Sequence, residues 1–498
     1  MKQYISKISS LLIIVLLMAS CHKDLETVYD NKPDRDQALS NPGDVYALSQ
    51  NTFHNWYMAV TSSLSPRMAM WVMADQGTCS WANSGMYHLS SEPRTGFDNT
   101  TSYTYADIFA RYYADLYGTL FIANNTLLAI ENNGMEIIDP IEGRDNTQKV
   151  RAMGYFIQGL TLGYIGLVYD KAFIMTQNSD YEADTPVSSY KEILEQAKIS
   201  LDSCILISEN NNFRIESTWI NGTQYRSSEL AELARSFIVR FLVYGSRNAQ
   251  ENSQINWDQV LEYAEDGIDF DLAPYMDNDK WICYYRKYTV RPGWARIDSR
   301  IIHMMDENYP WRFPDDGVPP APASSNDARL ESDFTYNPTN NMKPERGYYH
   351  FSNYEYTRNP YQITVYTGKV IDFPVSENDL FRAEAYAELG DLSQAIEIIN
   401  NGTRVSRGHL DPLPNDADKE TVMNAIYYER DIELIQTGFG NNFFDMRRRD
   451  MLQKGTMLHF PIPAKELMVM EMANYTFGGV ENADGINVSN GGWFPEGK

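Results

Sequence analysis

The stretch DLFRAEAYAELGDLSQAIEIINNG, Asp379–Gly402, decides how the rest of the chain is read. Its apolar residues recur at three and four on either side of Leu389-Gly390-Asp391, the spacing of two amphipathic helices. Gly390 turns the chain between them. Ala383 and Ala395 are small enough for the two helices to approach, and Tyr386 fills the groove. A looser copy pairs Ser236–Ser246 with Trp257–Ile268, where Trp257, Val260, Ala264 and Gly267 recur at similar spacing. Trp257 and Tyr386 are therefore assigned to the core. Helical periodicity also runs through 103–131, 150–169, 189–208, 227–247, 376–400 and 419–437. The segment 150–169 carries Gly159, Gly163 and Gly166. Glycine weakens a helix, so its value there is close approach of a neighbour.

These offsets are those of the tetratricopeptide repeat, whose helix pairs bury a continuous core only by stacking. The fold class expected is mainly α, a tetratricopeptide-like helix-pair scaffold with a large irregular, loop-rich portion. That portion runs from about 270 to 375 and is rich in Pro, Asn, Asp and aromatics. Long irregular segments in compact proteins are often functional. The one strand worth naming within it is Gln362–Tyr366. A helix-pair scaffold is a binding architecture rather than a chemistry.

The N-terminus reads as an export signal. Lys2 and Lys7 precede the apolar run Leu11–Met18, followed by Ala19-Ser20-Cys21. That run is shorter than the roughly 20 residues a membrane-spanning helix needs. The division expected is a lipoprotein signal at 1–20, a lipidated tether at 21–40 and a single binding domain at 41–498. Cys21 would carry the acyl chains that hold the body at a membrane. A net charge of −25 argues against nucleic acid and anionic headgroups as partners. Cys79, Cys204 and Cys283 are too few and too scattered for a disulfide framework.

No zinc, phosphate-loop, nucleophile-elbow or calcium-loop motif occurs, and no cofactor is implied. The seven histidines are scattered singly and read as surface or satisfied groups, and Asp277-Asn278-Asp279 as a solvated turn. Aromatics are abundant: 34 Tyr, 21 Phe and 9 Trp. A sugar site needs flat rings beside groups that bond hydroxyls. Two windows offer both. The first, 71–94, supplies Asp75, Trp81 and Asn83; the second, 281–313, supplies Trp281, Tyr284, Tyr285, Trp294, Arg296 and Trp311.

Several blocks in order resemble the SusD/RagB family of outer-membrane nutrient-binding lipoproteins. They are Leu380–Tyr386 with Leu389-Gly390-Asp391 and Ile399-Asn400 to Arg404, then Tyr428–Leu434, Phe443–Arg448, and Pro461-Ile462-Pro463 with Glu466-Leu467. Thr437 and Asn442 depart from the family pattern, which more often has an acid and an Arg there. The resemblance implies capture of a nutrient, most often an oligosaccharide, and its delivery without cleavage to a SusC-like TonB-dependent transporter in the outer membrane. A peptide-binding member of the same family and a secreted helical-barrel glycoside hydrolase share the profile. Glu429, Arg430 and Glu433 with Arg447–Arg449 read as a half-buried polar network that holds the C-terminal segment.

Overall fold

The computed structural model of the protein describes residues 39–79, 83–139, 141–181, 185–291, 293–314, 316–339, 351–479 and 492–493. The expected signal, Cys21, most of the tether and Trp81 lie outside them. Pro42–Lys498 is one unit, and it is mainly helical. Its principal helices are α1 (Pro42–Thr61), α2 (Arg67–Met73), α3 (Asp107–Leu127), α4 (Thr147–Val168), α5 (Tyr190–Asn210), α6 (Ser227–Tyr244) and α7 (Trp257–Glu265). After them come α8 (Tyr284–Thr289), α9 (Ser299–Met305), α10 (Pro360–Thr364), α11 (Val375–Leu389), α12 (Leu392–Asn401), α13 (Lys419–Glu433) and α14 (Asn441–Arg448). Strands among the described residues are short and form two-stranded ribbons. Three ribbons shape the loop-rich portion. Strand β1 (Gly77–Cys79) pairs with β3 (Ala295–Ile297), β2 (Tyr275–Met276) with β6 (Gly368–Lys369), and β4 (Phe334–Tyr336) with β5 (Tyr354–Tyr356).

The α4 glycines do what their spacing predicts. A Cβ at Gly159 would lie 2.5 Å from Leu201 of α5, at Gly163 2.1 Å from the Phe241 ring of α6, and at Gly166 2.8 Å from Leu194 of α5. Helix α4 is buried on nearly every side, so α5 and α6 can close on it only where it lacks side chains. A capping box starts α5: Ser189 Oγ accepts from the Glu192 N–H, and Glu192 accepts from the Ser189 N–H at 2.7 Å.

The 379–402 stretch folds as α11 and α12, joined at Gly390 with φ of 91°. Ala383, Ala395, Ile396 and Ile399 fill the space between the two helices and α13. Tyr386 and Trp257 are half-buried rather than core. Tyr386 lays its ring on that cluster and donates its hydroxyl to Glu265 of α7 at 3.1 Å, linking one helix pair to the next. Gln362–Tyr366 is not a strand: Pro360, fixed in φ at the first turn, starts α10.

The C-terminal polar network is more deeply buried than its sequence suggests. Glu384, Arg430, Asp445 and Arg448 form one ion cluster, and Arg329 with Asp327, Glu429 and Glu433 a second, all of them buried. Asn442 Nδ2 donates to the Arg430 carbonyl at 3.2 Å. Among the described residues Arg447 pairs with no acid and instead donates to the carbonyls of Leu167, Leu458 and Tyr244. Cys204 and Cys283 are buried and free. His459 breaks the expectation of a satisfied histidine. Both its ring nitrogens are buried without partners, and burial, then Arg247, pushes its pKa well down.

Asp170 follows α4 and accepts from the Tyr475 hydroxyl at 2.8 Å. Burial raises its carboxyl to about 6, although Tyr475 and Lys171 pull it back. A carboxyl raised on folding costs stability when ionised, so the penalty is present above pH 6 and fades as pH falls through it. Asp170→Asn is expected to stabilise the protein by about 1–3 kcal/mol at pH 7.5, with a smaller gain at pH 5, measured by urea unfolding.

Candidate ligand-binding surface

The two aromatic windows meet because β1 and β3 pair antiparallel, with Gly77 opposite Ile297, Thr78 opposite Arg296 and Cys79 opposite Ala295. Gly77 is required there, since a Cβ would fall 1.7 Å from the Trp71 ring. Just before β1, Asp75 takes a left-handed φ of 47°. Its carboxylate accepts from Arg94 Nη2 at 3.1 Å, Gln453 Nε2 at 3.1 Å and the Trp493 indole at 2.6 Å. Its carbonyl accepts from Arg300 Nε at 3.3 Å. Asp75 is thus buried and fully engaged, a pin between four segments rather than a waiting acceptor for a ligand hydroxyl. Gln76 and Arg300 both bond Asp431, tying the pin to α13.

Other predicted site residues are also sealed. Trp281 packs among Phe53, His54 and Tyr57 of α1, and is buried. Tyr285 lies under the Arg67 guanidinium, 4.4 Å from ring centroid to Cζ, and edge-on to Trp71. Arg296 is held by Glu355 at 2.7 Å; burial outweighs that pairing and lowers its pKa. Helical sequence spacing hides this division. On the single turn of α8, Tyr284 faces out while its neighbour Tyr285 faces in.

Asn83, Tyr284, Trp294 and Trp311 reach the surface. Two surface groupings contain three of them. In the first, Lys287 Nζ stands 5.6 Å from the Tyr284 centroid and 5.2 Å from that of Tyr366. Arg291 Cζ stands 4.3 Å from Trp294 and 5.8 Å from Tyr366. The result is a row of rings and cations, Tyr284–Lys287–Tyr366–Arg291–Trp294. In the second, Trp311 lies between His303, nearly parallel at 5.7 Å, and Trp493, tilted at 6.0 Å. Lys287, Tyr366, His303 and Trp493 were not singled out from sequence. Tyr366 sat in a supposed strand, and it joins the row only because the turn before β6 takes a left-handed φ of 55° at that residue.

Two cavities open on the scaffold. One of about 280 Å³ lies between α5 and α6, and one of about 320 Å³ beside α11 and α12. None of these rings lines either. Tyr284 is exposed, and Tyr366, Trp294 and Trp311 are half-buried, each leaving part of its ring to solvent.

Residues 296–474 match the SusD family. Solved structures of SusD superfamily proteins resemble this chain. A SusD superfamily protein of Bacteroides vulgatus aligns with a TM-score of 0.59 at 16% identity, covering 86% of this chain and 97% of that one. One of Parabacteroides distasonis aligns at 0.59 and 13% identity, with the same 86% and 97% coverage. A SusD-like carbohydrate binding protein of Bacteroides vulgatus aligns at 0.50 and 16% identity, covering 82% and 83%. The chain carries the SusD-family segment on a SusD fold. No curated protein matches it in sequence. The SusD segment begins inside β3 and ends beyond α14, so it contains both buried ion clusters and Trp311. Of the aromatic row, Tyr366 lies within that segment, and Tyr284, Lys287, Arg291 and Trp294 lie just ahead of it. No helix of the described residues is long and apolar enough to cross a membrane.

Proposed function

We propose that this is a lipid-anchored, cell-surface binding protein that captures an oligosaccharide and passes it uncleaved to a SusC-like TonB-dependent transporter. The carrying observation is the row of partly exposed rings Tyr284, Tyr366 and Trp294, with Trp311 and Trp493 as a second grouping, on a SusD fold. Rings of this kind stack on the C–H faces of pyranoses, and the cations between them bond hydroxyls. The carbohydrate binding named for one structural neighbour supports the class of cargo. The family segment supports nutrient capture rather than catalysis. Acylation of Cys21 would raise the effective concentration of captured cargo near a channel in the same membrane.

Trp294→Ala is expected to weaken binding of the cognate oligosaccharide about tenfold, near 1.4 kcal/mol, and, because its ring packs in part on the core beside Tyr288, to lower the unfolding midpoint while the native fold is kept. Calorimetric titration across a glycan and peptide panel checks this. Binding of peptides alone, or release of reducing sugar, would overturn the reading. Cys21→Ala is expected to abolish incorporation of radiolabelled palmitate and move the protein out of the membrane fraction.

A further inference from the structure

Accepting sugar as the cargo, we propose that the row Tyr284–Lys287–Tyr366–Arg291–Trp294 selects an acidic oligosaccharide, one that bears carboxylate or sulfate groups. The chain has 67 acidic residues against 42 basic ones, yet residues 280–297 and 359–371 contain no Asp or Glu at all. The fold brings these two acid-free stretches together beside the β2–β6 ribbon: Lys287 and Arg291 stand 5.2 and 5.8 Å from the Tyr366 ring centroid.

Several exposed cations elsewhere on the surface sit against acids, as in Arg111–Asp115, Arg144–Glu142, Lys191–Glu251 and Lys419–Glu388. Lys287 and Arg291 differ. Among the described residues neither has a carboxylate partner; Lys287 Nζ bonds only the Asn278 amide oxygen, at 2.9 Å. Lys280, exposed at one end, and Lys369, in β6 opposite Tyr275, extend the positive field. The acids at the margin do not neutralise it. Asp277 accepts the N–H groups of its own turn, Asp298 and Asp372 are buried, and only Asp279 is exposed.

An isolated positive face on a chain of charge −25 repels nothing anionic locally and is not screened by internal partners. Ring–cation spacings of 4.3 to 5.8 Å let one sugar ring stack while the charge of its substituent meets the adjacent cation. Neutral glycans would use the rings and offer the cations only hydroxyls, without the charge-assisted bond of a carboxylate or sulfate.

The test is calorimetric titration with oligogalacturonides, the same oligomers methyl-esterified to remove charge, sulfated glycosaminoglycan oligomers, and neutral maltooligosaccharides and galactans. The expected result is that at least one acidic series binds, with affinity falling as NaCl rises from about 50 to about 500 mM. Carboxylate and sulfate arms separate the two anionic chemistries, and methyl-esterification should abolish binding of the first. A Lys287→Gln/Arg291→Gln double variant is expected to lose about tenfold in that affinity, with an unchanged unfolding curve. Binding of neutral glycans that is indifferent to salt and to the double variant would overturn the acidic assignment and leave the sugar reading standing. Failure of every glycan while peptides bind would overturn the sugar reading itself.

Discussion

Replacing Glu384 with Ala is expected to cost about 3–5 kcal/mol of stability, the range seen when one member of a buried ion cluster is removed. Glu384 accepts from Arg430 Nη1 at 2.5 Å and from Arg448 Nη2 at 2.9 Å, and all three side chains are almost fully excluded from solvent. Without it, Arg430, Arg448 and Arg449 share Asp445 alone. Guanidinium groups do not shed their proton near neutrality, so the uncompensated charge has no escape. Urea unfolding should show a lower midpoint with an unchanged slope. Loss of the exposed Glu142 partner of Arg144 should change little. Burial alone would raise the Asp445 carboxyl, but Arg449, Arg448 and Arg430 outweigh it and hold the group well below the usual range. A carboxyl depressed on folding gives stability above about pH 4 that is lost as pH falls further. The native protein should therefore be acid-labile below that point.

The second large effect is expected from Arg329→Met, of similar size and opposite pH signature. Arg329 bonds Asp327 at 2.7 Å, Glu429 at 2.7 Å and Glu433 at 3.4 Å, all in buried surroundings. Glu433 keeps Arg358 and Arg407 when Arg329 is removed. Among the described residues, Glu429 keeps only the Thr403 hydroxyl, and Asp327 keeps the Tyr428 hydroxyl and the backbone N–H of residue 329, which methionine retains. Here the stranded charges are carboxylates, and protons can replace the missing cation. The variant should regain part of its stability between about pH 7 and pH 5, where the native protein gains nothing from these groups. A variant whose deficit is the same at both pH values would show that solvent, not burial, governs this cluster.

Both clusters were legible only in outline. The charges of Tyr428–Leu434 and Phe443–Arg449 announce a network, but the depth of burial comes from α11 and the 327–329 turn closing over them, which is a long-range event. The helix pair at 379–402 and the α4 glycines were readable because their physics is local: a turn, a period, a missing side chain. The proposed binding face is half readable. Composition located both windows, and the rings in them are real surface features at Tyr284, Trp294 and Trp311. Composition could not say that Trp281, Tyr285 and Arg296 turn inward, because that depends on which side of a single turn or a three-residue strand packs against α1 and α2. Asp75 looked like a hydroxyl acceptor because nothing in 71–94 reveals that Gln453 and Trp493 arrive to occupy it.

The β1–β3 ribbon joins positions more than two hundred residues apart, Gly77 to Ile297, through only three pairs. Contacts that distant close late and at high entropic cost, whereas α4, α5 and α6 meet through near neighbours in the chain. Amide exchange should accordingly be slowest along α4 and fastest at the ribbon, with the ring-bearing turns loosening long before global unfolding. The grip on cargo would then be the most yielding part of a stiff body, able to adapt its outline to a guest without disturbing the frame that carries it.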